Sequence, residues 1–566
     1  MGRILIFLFL APITSAYALE KICSNYYFTN DEVSFTSNEK IFICGSKSDG
    51  WNRIPQNQAQ TTIENLLSIR GYYQPSIKKV DKKFVIDKGE KSKISSIEFK
   101  NKPEKFDDEV YLGSIGNDLT EENLDEIENW TLNRLETLGY PCHSVKVQAS
   151  FITEKVLVNI NSGLRYRVEK IQRDNSTLLN PNSFKRHDAL DEGDWFNGDY
   201  LALTSRRLTN SGLVSYAYFN HSCKDPTVLT QKVTLNKPNT LIMGIGASTE
   251  ELPIFKISWN NSRLDKLGSK LDSVLYLSSI EQSIEVGTTF YTSSNFPAFY
   301  IKPFARYEII TEQFYKTRSD TFGVTSGSSF DLSDSILALS LSPSRTREIQ
   351  DEGEAPGESK FFALETSIHL IDHYYEYFLA SPRKGDEIML KSTYFKGDTA
   401  LGNDNAKGNL LELSGTSLMN AGNFSPPDVI LGIRYHYRTI ITDNTSQVPQ
   451  RYRLYLGGEN NIRGFSRKSI NNDEQGYSTT AHLAFESRFT NVLPLNLQPL
   501  FFIDLAKVGF DTSSLSKTLY YAPGIGMRWQ SPFGSFRTTI AKGLIQDGIE
   551  QEEEQYVFYL SYGREF

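Results

Sequence analysis

From residue 239 to the C-terminus, apolar side chains return at every second position. Val429, Leu431, Ile433, Tyr435 and Tyr437 share one side of a stretch, and Gly432, Arg434, His436 and Arg438 share the other. In Thr479–Phe489, Ala481, Leu483 and Phe485 oppose His482, Glu486 and Arg488; next, Phe501, Ile503 and Leu505 oppose Asp504. At the end, Tyr556, Phe558, Leu560, Tyr562 and Phe566 oppose Ser561, Gly563 and Glu565. A repeat of two marks a strand, whose side chains point alternately to its two faces. About 16 such strands of 9–13 residues fit into residues 239–566 with no helix between them. A two-sheet sandwich also alternates, with one face in a core and one in water. The connections favour a closed barrel. Ser531-Pro532-Phe533-Gly534 is tight and Thr442–Gly476 is very long. Long loops on one side and tight turns on the other mark transmembrane barrels, whose closure leaves no unpaired edge in lipid. Phe566 would then sit at the membrane interface.

Residues 19–238 follow another rhythm, a recurring unit of about 70 to 80 residues. In the clearest copy, a strand at Ile97–Phe99 leads to Leu119-Thr120-Glu121-Glu122, a helix start with acidic residues at the positive end of the dipole. Leu124, Ile127, Leu135 and Leu138 follow at helical spacing, and Gly139-Tyr140-Pro141 stops the helix. Strands are predicted at Val145–Ala149, Val156–Ile160 and Tyr166–Ile171. An earlier copy has a helix over Ala59–Arg70 and a stop at Gly71-Tyr72-Tyr73; a later one has Leu201, Leu208 and a stop at Gly212. The simplest division is three small α+β modules, 19–97, 98–167 and 168–238, before a 16-stranded antiparallel barrel at 239–566. One larger α+β domain is the alternative for the first part.

Arg3, the apolar run Ile4–Ala11 and the small-x-small site Ala16-Tyr17-Ala18 read as a secretory signal peptide, residues 1–18. Four cysteines in an exported chain allow three pairings. Cys23 and Cys44 are nearest in sequence and would close a local loop, whereas Cys142 and Cys223 fall in different modules and are expected free or buried. No CxxC or HxxxH spacing suggests a metal site. Mean hydropathy is −0.38 and no apolar run reaches the roughly 18 residues of a spanning helix, so a polytopic helical protein is excluded. The net charge of −8 gives no reason to expect nucleic acid. Lys78, Lys79, Lys82, Lys83, Lys88, Lys91 and Lys93 make the first module locally basic, as a solvated face or as a contact for anionic lipid or an acidic partner.

The long loop contains Leu456-Gly457-Gly458-Glu459-Asn460-Asn461-Ile462-Arg463-Gly464-Phe465. A large barrel has a wet lumen to plug or gate, and a loop folded inward needs an anchor. Arg463 offers a planar fork of donors. By the alternation above, Glu486 and Asp504 lie on lumen faces and can receive it. Gly464 would let the backbone turn sharply beside it. The plainer reading is a lumen salt bridge that only stiffens a passive channel.

Ile462-Arg463-Gly464-Phe465, the later Phe502-Ile503-Asp504 and the turn Ser531-Pro532-Phe533-Gly534 stand in the order and setting of the BamA/TamA superfamily of outer-membrane assembly and translocation proteins, which the whole mature chain resembles. The resemblance implies that the modules are polypeptide-transport-associated (POTRA) modules in the periplasm and that the barrel lies in the bacterial outer membrane. Three modules resemble the TamA branch. Five, as in BamA-like proteins, do not fit, and residues 19–55 lack the proline-rich plug helix of two-partner secretion transporters. The implied function is insertion or translocation of client outer-membrane proteins such as autotransporters. The barrel would open laterally between its first strand, about Asn239–Ser248, and its last, Tyr556–Phe566. Gly244, Gly246 and Gly563 would weaken that seam, with Tyr562 and Phe566 beside them. A TamB-type inner-membrane-anchored protein is the implied partner of the modules, and outer-membrane lipid a further one. No cofactor and no catalysis are implied. Two alternatives stay open. One is a two-partner secretion pore for a dedicated exoprotein. The other is a barrel enzyme using His369, His436 or His482, although no GxSxG or HExxH is present.

Overall fold

The computed structural model describes residues 20–562 except 24–25, 30–34, 46–53, 108–113, 174–178, 293, 295–297, 333, 355, 378–381, 400–401, 423–428, 444–446, 491, 532–533 and 548–549. The signal peptide, Gly563 and Phe566 therefore lie outside the described residues, as does the side chain of Cys23. The chain forms two compact units. One comprises residues 1–172, 190–200 and 220–230, and the other 173–189, 201–219 and 231–566.

In the first α/β module, a sheet runs in the order Glu20–Cys23, Tyr26–Phe28, Lys83–Asp87, Ser76–Val80. The helix Gln56–Ile69 buries Ala59, Ile63 and Leu67, a fourfold spacing that lines one face against Phe28, Ile43 and Ile86. The second module repeats the plan. Its helix Glu121–Thr137 is capped by Thr120, whose Oγ1 accepts from the Asn123 amide at 3.3 Å, and it ends at Gly139, where φ is +99°. Ile127, Thr131 and Leu135 face a sheet ordered Ser96–Lys100, Lys155–Asn161, Ser144–Ser150. Ser96–Lys100 pairs in parallel with Lys155–Asn161, so that strand belongs to the second sheet. The third module has the helix Gly198–Asn210 and a sheet ordered Lys170–Arg173, Asp225–Leu235, Val214–Ser222.

Cys142 and Cys223 are not free. They form a disulfide with a Cα–Cα distance of 5.6 Å. Cys142 follows the Gly139 helix stop, and Cys223 lies on the turn after Val214–Ser222. His221 Nε2 meets the Pro141 carbonyl oxygen at 2.8 Å and draws the two turns together. Cys44 is disulfide-bonded as well.

From Asn239–Ser248 to Glu550–Tyr562, sixteen antiparallel strands close into a barrel. The expected fold class, tandem α+β modules before a 16-stranded antiparallel barrel, is the one observed. Outward positions carry exposed apolar side chains, among them Leu241, Ile245, Ile433, Phe485, Phe501, Ile503, Phe558 and Leu560. Among the described residues no helix is long and apolar enough to cross a membrane.

Two expectations give way. Strand length is not uniform: Ile254–Asn261 and Lys270–Leu277 have 8 residues each, whereas Ser335–Glu352 has 18 and Gly402–Ala421 has 20. The wall is therefore lowest beside the first strand. Nor do long and tight connections alternate. Apart from the loop between Thr442 and Thr479, both ends carry short connections, the longest being that between Asp372 and Gly385, with a helical turn at His373–Tyr377. The single long loop needs its length because it folds into the lumen.

Candidate functional site: a loop anchored in the lumen and the barrel seam

The loop after Thr442 closes on itself through bridges Leu454 to Tyr477 and Leu456 to Ile470. This carries Ile462-Arg463-Gly464-Phe465 against the inner wall. Ile462 and Arg463 are fully buried and Phe465 nearly so. The expected lumen acids face Arg463. Its Nε donates to Asp504 Oδ2 at 2.8 Å and its Nη2 to Asp504 Oδ1 at 2.8 Å, a two-pronged pair, while Nη1 donates to Glu486 Oε2 at 2.6 Å. The Arg463 backbone amide adds a fourth bond to Asp504 Oδ2 at 2.9 Å. Burial pulls the Arg463 pKa down, but the Asp504 and Glu486 carboxylates outweigh it and hold the guanidinium charged above its ordinary value.

Several partners were not read from the sequence. The Arg463 guanidinium lies 3.4 Å from the centre of the Phe502 ring. Glu486 also accepts from Arg488 Nε at 2.9 Å and from Arg537 Nη2 at 3.3 Å. Phe502 and Arg488 stand two residues from Asp504 and Glu486 on the same inward faces, so the alternation itself could have found them. Arg537 carries no such signal. The inner face of Leu497–Gly509 is apolar around Asp504: Leu500, Phe502, Ala506 and Val508 pack with Leu456, Ile462, Phe465 and Ile470 of the loop. A wet lumen would disfavour this surface; a docked loop requires it.

Gly464 serves a different purpose from the expected sharp turn. Its φ is not in the left-handed region. A Cβ there would lie 2.6 Å from the Cα and N of Gly543 and 2.7 Å from Ala522 Cβ, so glycine permits a close approach to the wall. The loop also reaches other strand ends. Arg467 Nη2 meets Glu312 Oε1 at 2.8 Å, Lys468 Nζ meets the same oxygen at 2.9 Å, and Arg453 Nη1 meets Glu354 Oε2 at 2.7 Å.

The seam lies between the first and last strands of the barrel. The first strand pairs with its sequence neighbour Ile254–Asn261 over eight residues; among the described residues, its register pairs with the last strand are Ala247–Tyr562 and Ser248–Ser561. A further bond runs from the Thr249 amide to the Leu560 carbonyl oxygen at 3.0 Å. Gly244 and Gly246 both face inward here. A Cβ on Gly246 would lie 3.1 Å from the Tyr562 carbonyl oxygen, whereas one on Gly244 would meet nothing closer than 3.9 Å. Leu241, Ile242, Met243 and Ile245 are exposed on this strand.

The remaining candidates separate. His369 Nε2 pairs with Glu387 Oε1 at 2.9 Å, and His436 stands opposite His482 on adjacent strands. The lysines of the first module are partly engaged: Lys83 lies over Tyr27, Lys88 and Lys91 over Tyr72, and Lys91 pairs with Asp118. His221 lies beside Cys142 and Cys223, but the disulfide occupies both sulfurs and removes them as metal ligands.

Modules followed by a closed barrel with an inward loop define a modular β-barrel protein. Residues 403–566, the second half of the barrel, match the Omp85 superfamily domain. The fold is similar to BamA from Haemophilus ducreyi lacking POTRA domains 1–3, with a TM-score of 0.55 and 16% identity over 83% of this chain and 99% of that one. CdiB from Acinetobacter baumannii gives a TM-score of 0.49 at 13% identity, covering 90% of this chain and 97% of that one. CdiB from Escherichia coli gives 0.48 at 12%, covering 94% and 100%.

Proposed function

We propose that this protein is an outer-membrane assembly or translocation factor of the TamA type. Its barrel lies in the bacterial outer membrane and its modules in the periplasm. A client strand enters by pairing with the first strand, Asn239–Ser248, while the first and last strands part. The observation that carries this reading is the seam: among the described residues two register pairs join the first strand to the last, beside a wall of 8-residue strands. The Omp85 domain match supports the class. In this account a TamB-type, inner-membrane-anchored protein engages the modules, and the clients are outer-membrane proteins such as autotransporters. Outer-membrane lipid is a further passenger. The work is done by strand exchange and needs no cofactor and no catalytic residue.

The test is deletion of the gene followed by comparison of outer-membrane and secreted proteomes, with the intact gene restored as control. Loss of several barrel or autotransporter proteins is the expected result. Loss of one secreted exoprotein with an unchanged outer membrane would replace this reading with a two-partner secretion pore.

A further inference from the structure

The anchor at Arg463 fixes the loop to strands away from the seam. A second part of the same loop touches both margins of the seam. Gly457 and Gly458 have φ of +102° and +113°, and a Cβ on Gly458 would lie 2.7 Å from Glu250 Oε1. The two glycines therefore bring the loop backbone against the turn that follows the first strand. There the Glu459 amide donates to Glu250 Oε1 at 3.0 Å. The Glu459 side chain, 3% exposed, points the other way and accepts from Ser561 Oγ of the last strand at 2.6 Å. One residue thus holds the turn after the first strand with its backbone and the last strand with its carboxylate.

Its neighbours repeat the arrangement. Arg467 Nη1 lies 3.6 Å from Glu251 Oε1 and 4.0 Å from Glu250 Oε2. On the opposite margin Tyr559 Oη donates to the Phe465 carbonyl oxygen at 2.7 Å, and Gln555 Nε2 to that of Gly464 at 3.0 Å. Among the described residues the margins themselves share two register pairs and one further backbone bond, and the loop adds these contacts to both of them.

We propose that the Gly457-Gly458-Glu459 turn is a clasp on the seam, with Glu459, Glu250 and Ser561 as its positioning residues. Loop docking and seam closure are then one linked equilibrium. A client or partner that draws the loop out weakens the seam, and an opened seam loosens the loop by the same factor. This deepens the lateral-opening reading and rests on it.

The test uses the full-length protein in outer-membrane vesicles with Ser248→Cys as a reporter. Ser248 is 4% exposed at the seam, and among the described residues no native cysteine is free. Labelling by a water-soluble maleimide follows the open fraction. Glu459→Ala and Glu250→Ala should each raise the labelling rate about tenfold, the scale of one lost hydrogen bond to a charged group. Combined, they should raise it little further, because both cut one bridge. If Glu459→Ala does not fold, as judged by a barrel that unfolds in detergent without heating, Glu459→Gln and Ser561→Ala carry the test. Unchanged labelling in folded variants overturns the clasp and leaves lateral insertion standing. Raised labelling, with undiminished client assembly when the seam is locked by an oxidised Ala247→Cys and Tyr562→Cys pair, keeps the clasp and overturns lateral insertion.

Discussion

Replacing Arg463 by alanine should release the loop. In the wild type, the side chain satisfies two carboxylates that are themselves buried, Asp504 at 0% and Glu486 at 3% exposure. Removing the cation leaves Asp504, among the described residues, with one hydrogen bond, from the backbone amide of residue 463, and leaves Glu486 with Arg488 and Arg537. Breaking a buried ion pair from one side costs about 3–5 kcal/mol, because the remaining charge is uncompensated. At about 1.4 kcal/mol per factor of ten, the docked state loses roughly two to three and a half orders of magnitude in population relative to the undocked one. Arg451, Arg453, Arg467 and Lys468 are tryptic sites elsewhere in the same loop. Cleavage there tracks the undocked fraction when reclosing is fast. The tryptic rate in folded, membrane-embedded protein should therefore rise about a hundredfold or more. Arg463→Lys keeps the charge but not the fork, and should fall between. Adding Asp504→Ala to Arg463→Ala should cost less than the sum of the two, since it removes the stranded carboxylate. A wild-type cleavage rate in Arg463→Ala, or full protection in Arg463→Lys, would refute the anchor.

The close approach at Gly464 predicts that Gly464→Ala and Gly543→Ala each weaken docking by about 1–3 kcal/mol through overpacking; tryptic rates equal to wild type in both would contradict it. The Cys142–Cys223 bond spans 81 residues, and Cys142→Ser with Cys223→Ser should lower the stability of the modules by about 4 kcal/mol, read as a shifted denaturant midpoint of the full chain. His187 is held neutral, well below the ordinary 6.5, by burial first and then by Arg186, Lys270 and Arg207; Arg186 Nε donates to its Nε2 at 3.3 Å. As pH falls below 6.5 the unfolded chain takes up a proton that the folded one refuses, so stability declines towards acid. His187→Gln should flatten that decline in urea midpoints measured from pH 7 to about pH 5, and an unchanged slope would count against it.

Much of the anchor can be read from local pattern. Alternation within Thr479–Phe489 and around Phe501–Leu505 is enough to place Glu486 and Asp504 on inward faces, because a strand's geometry fixes every second side chain. What a loop does against that wall is a tertiary matter. The apolar inward residues Leu500, Phe502, Ala506 and Val508 break the polar-lumen expectation only because the loop covers them. The Cys142–Cys223 bond depends on two turns far apart in sequence meeting, which no spacing rule conveys. The same holds for Glu459, which reads as one more polar loop residue until Ser561 and Glu250 stand on either side of it. Strand lengths beside the seam escaped for another reason. Alternation shows that a strand exists, but its ends depend on how far its neighbours extend.

In the proposed function the first and last strands must part for the protein to act. Ala247 and Tyr562 are register partners across the seam, so Ala247→Cys with Tyr562→Cys forms a lock that can be closed and reopened. The oxidised lock should abolish assembly of a client outer-membrane protein, and reduction should restore it in the same membranes. Assembly at the wild-type rate through an oxidised seam would contradict it.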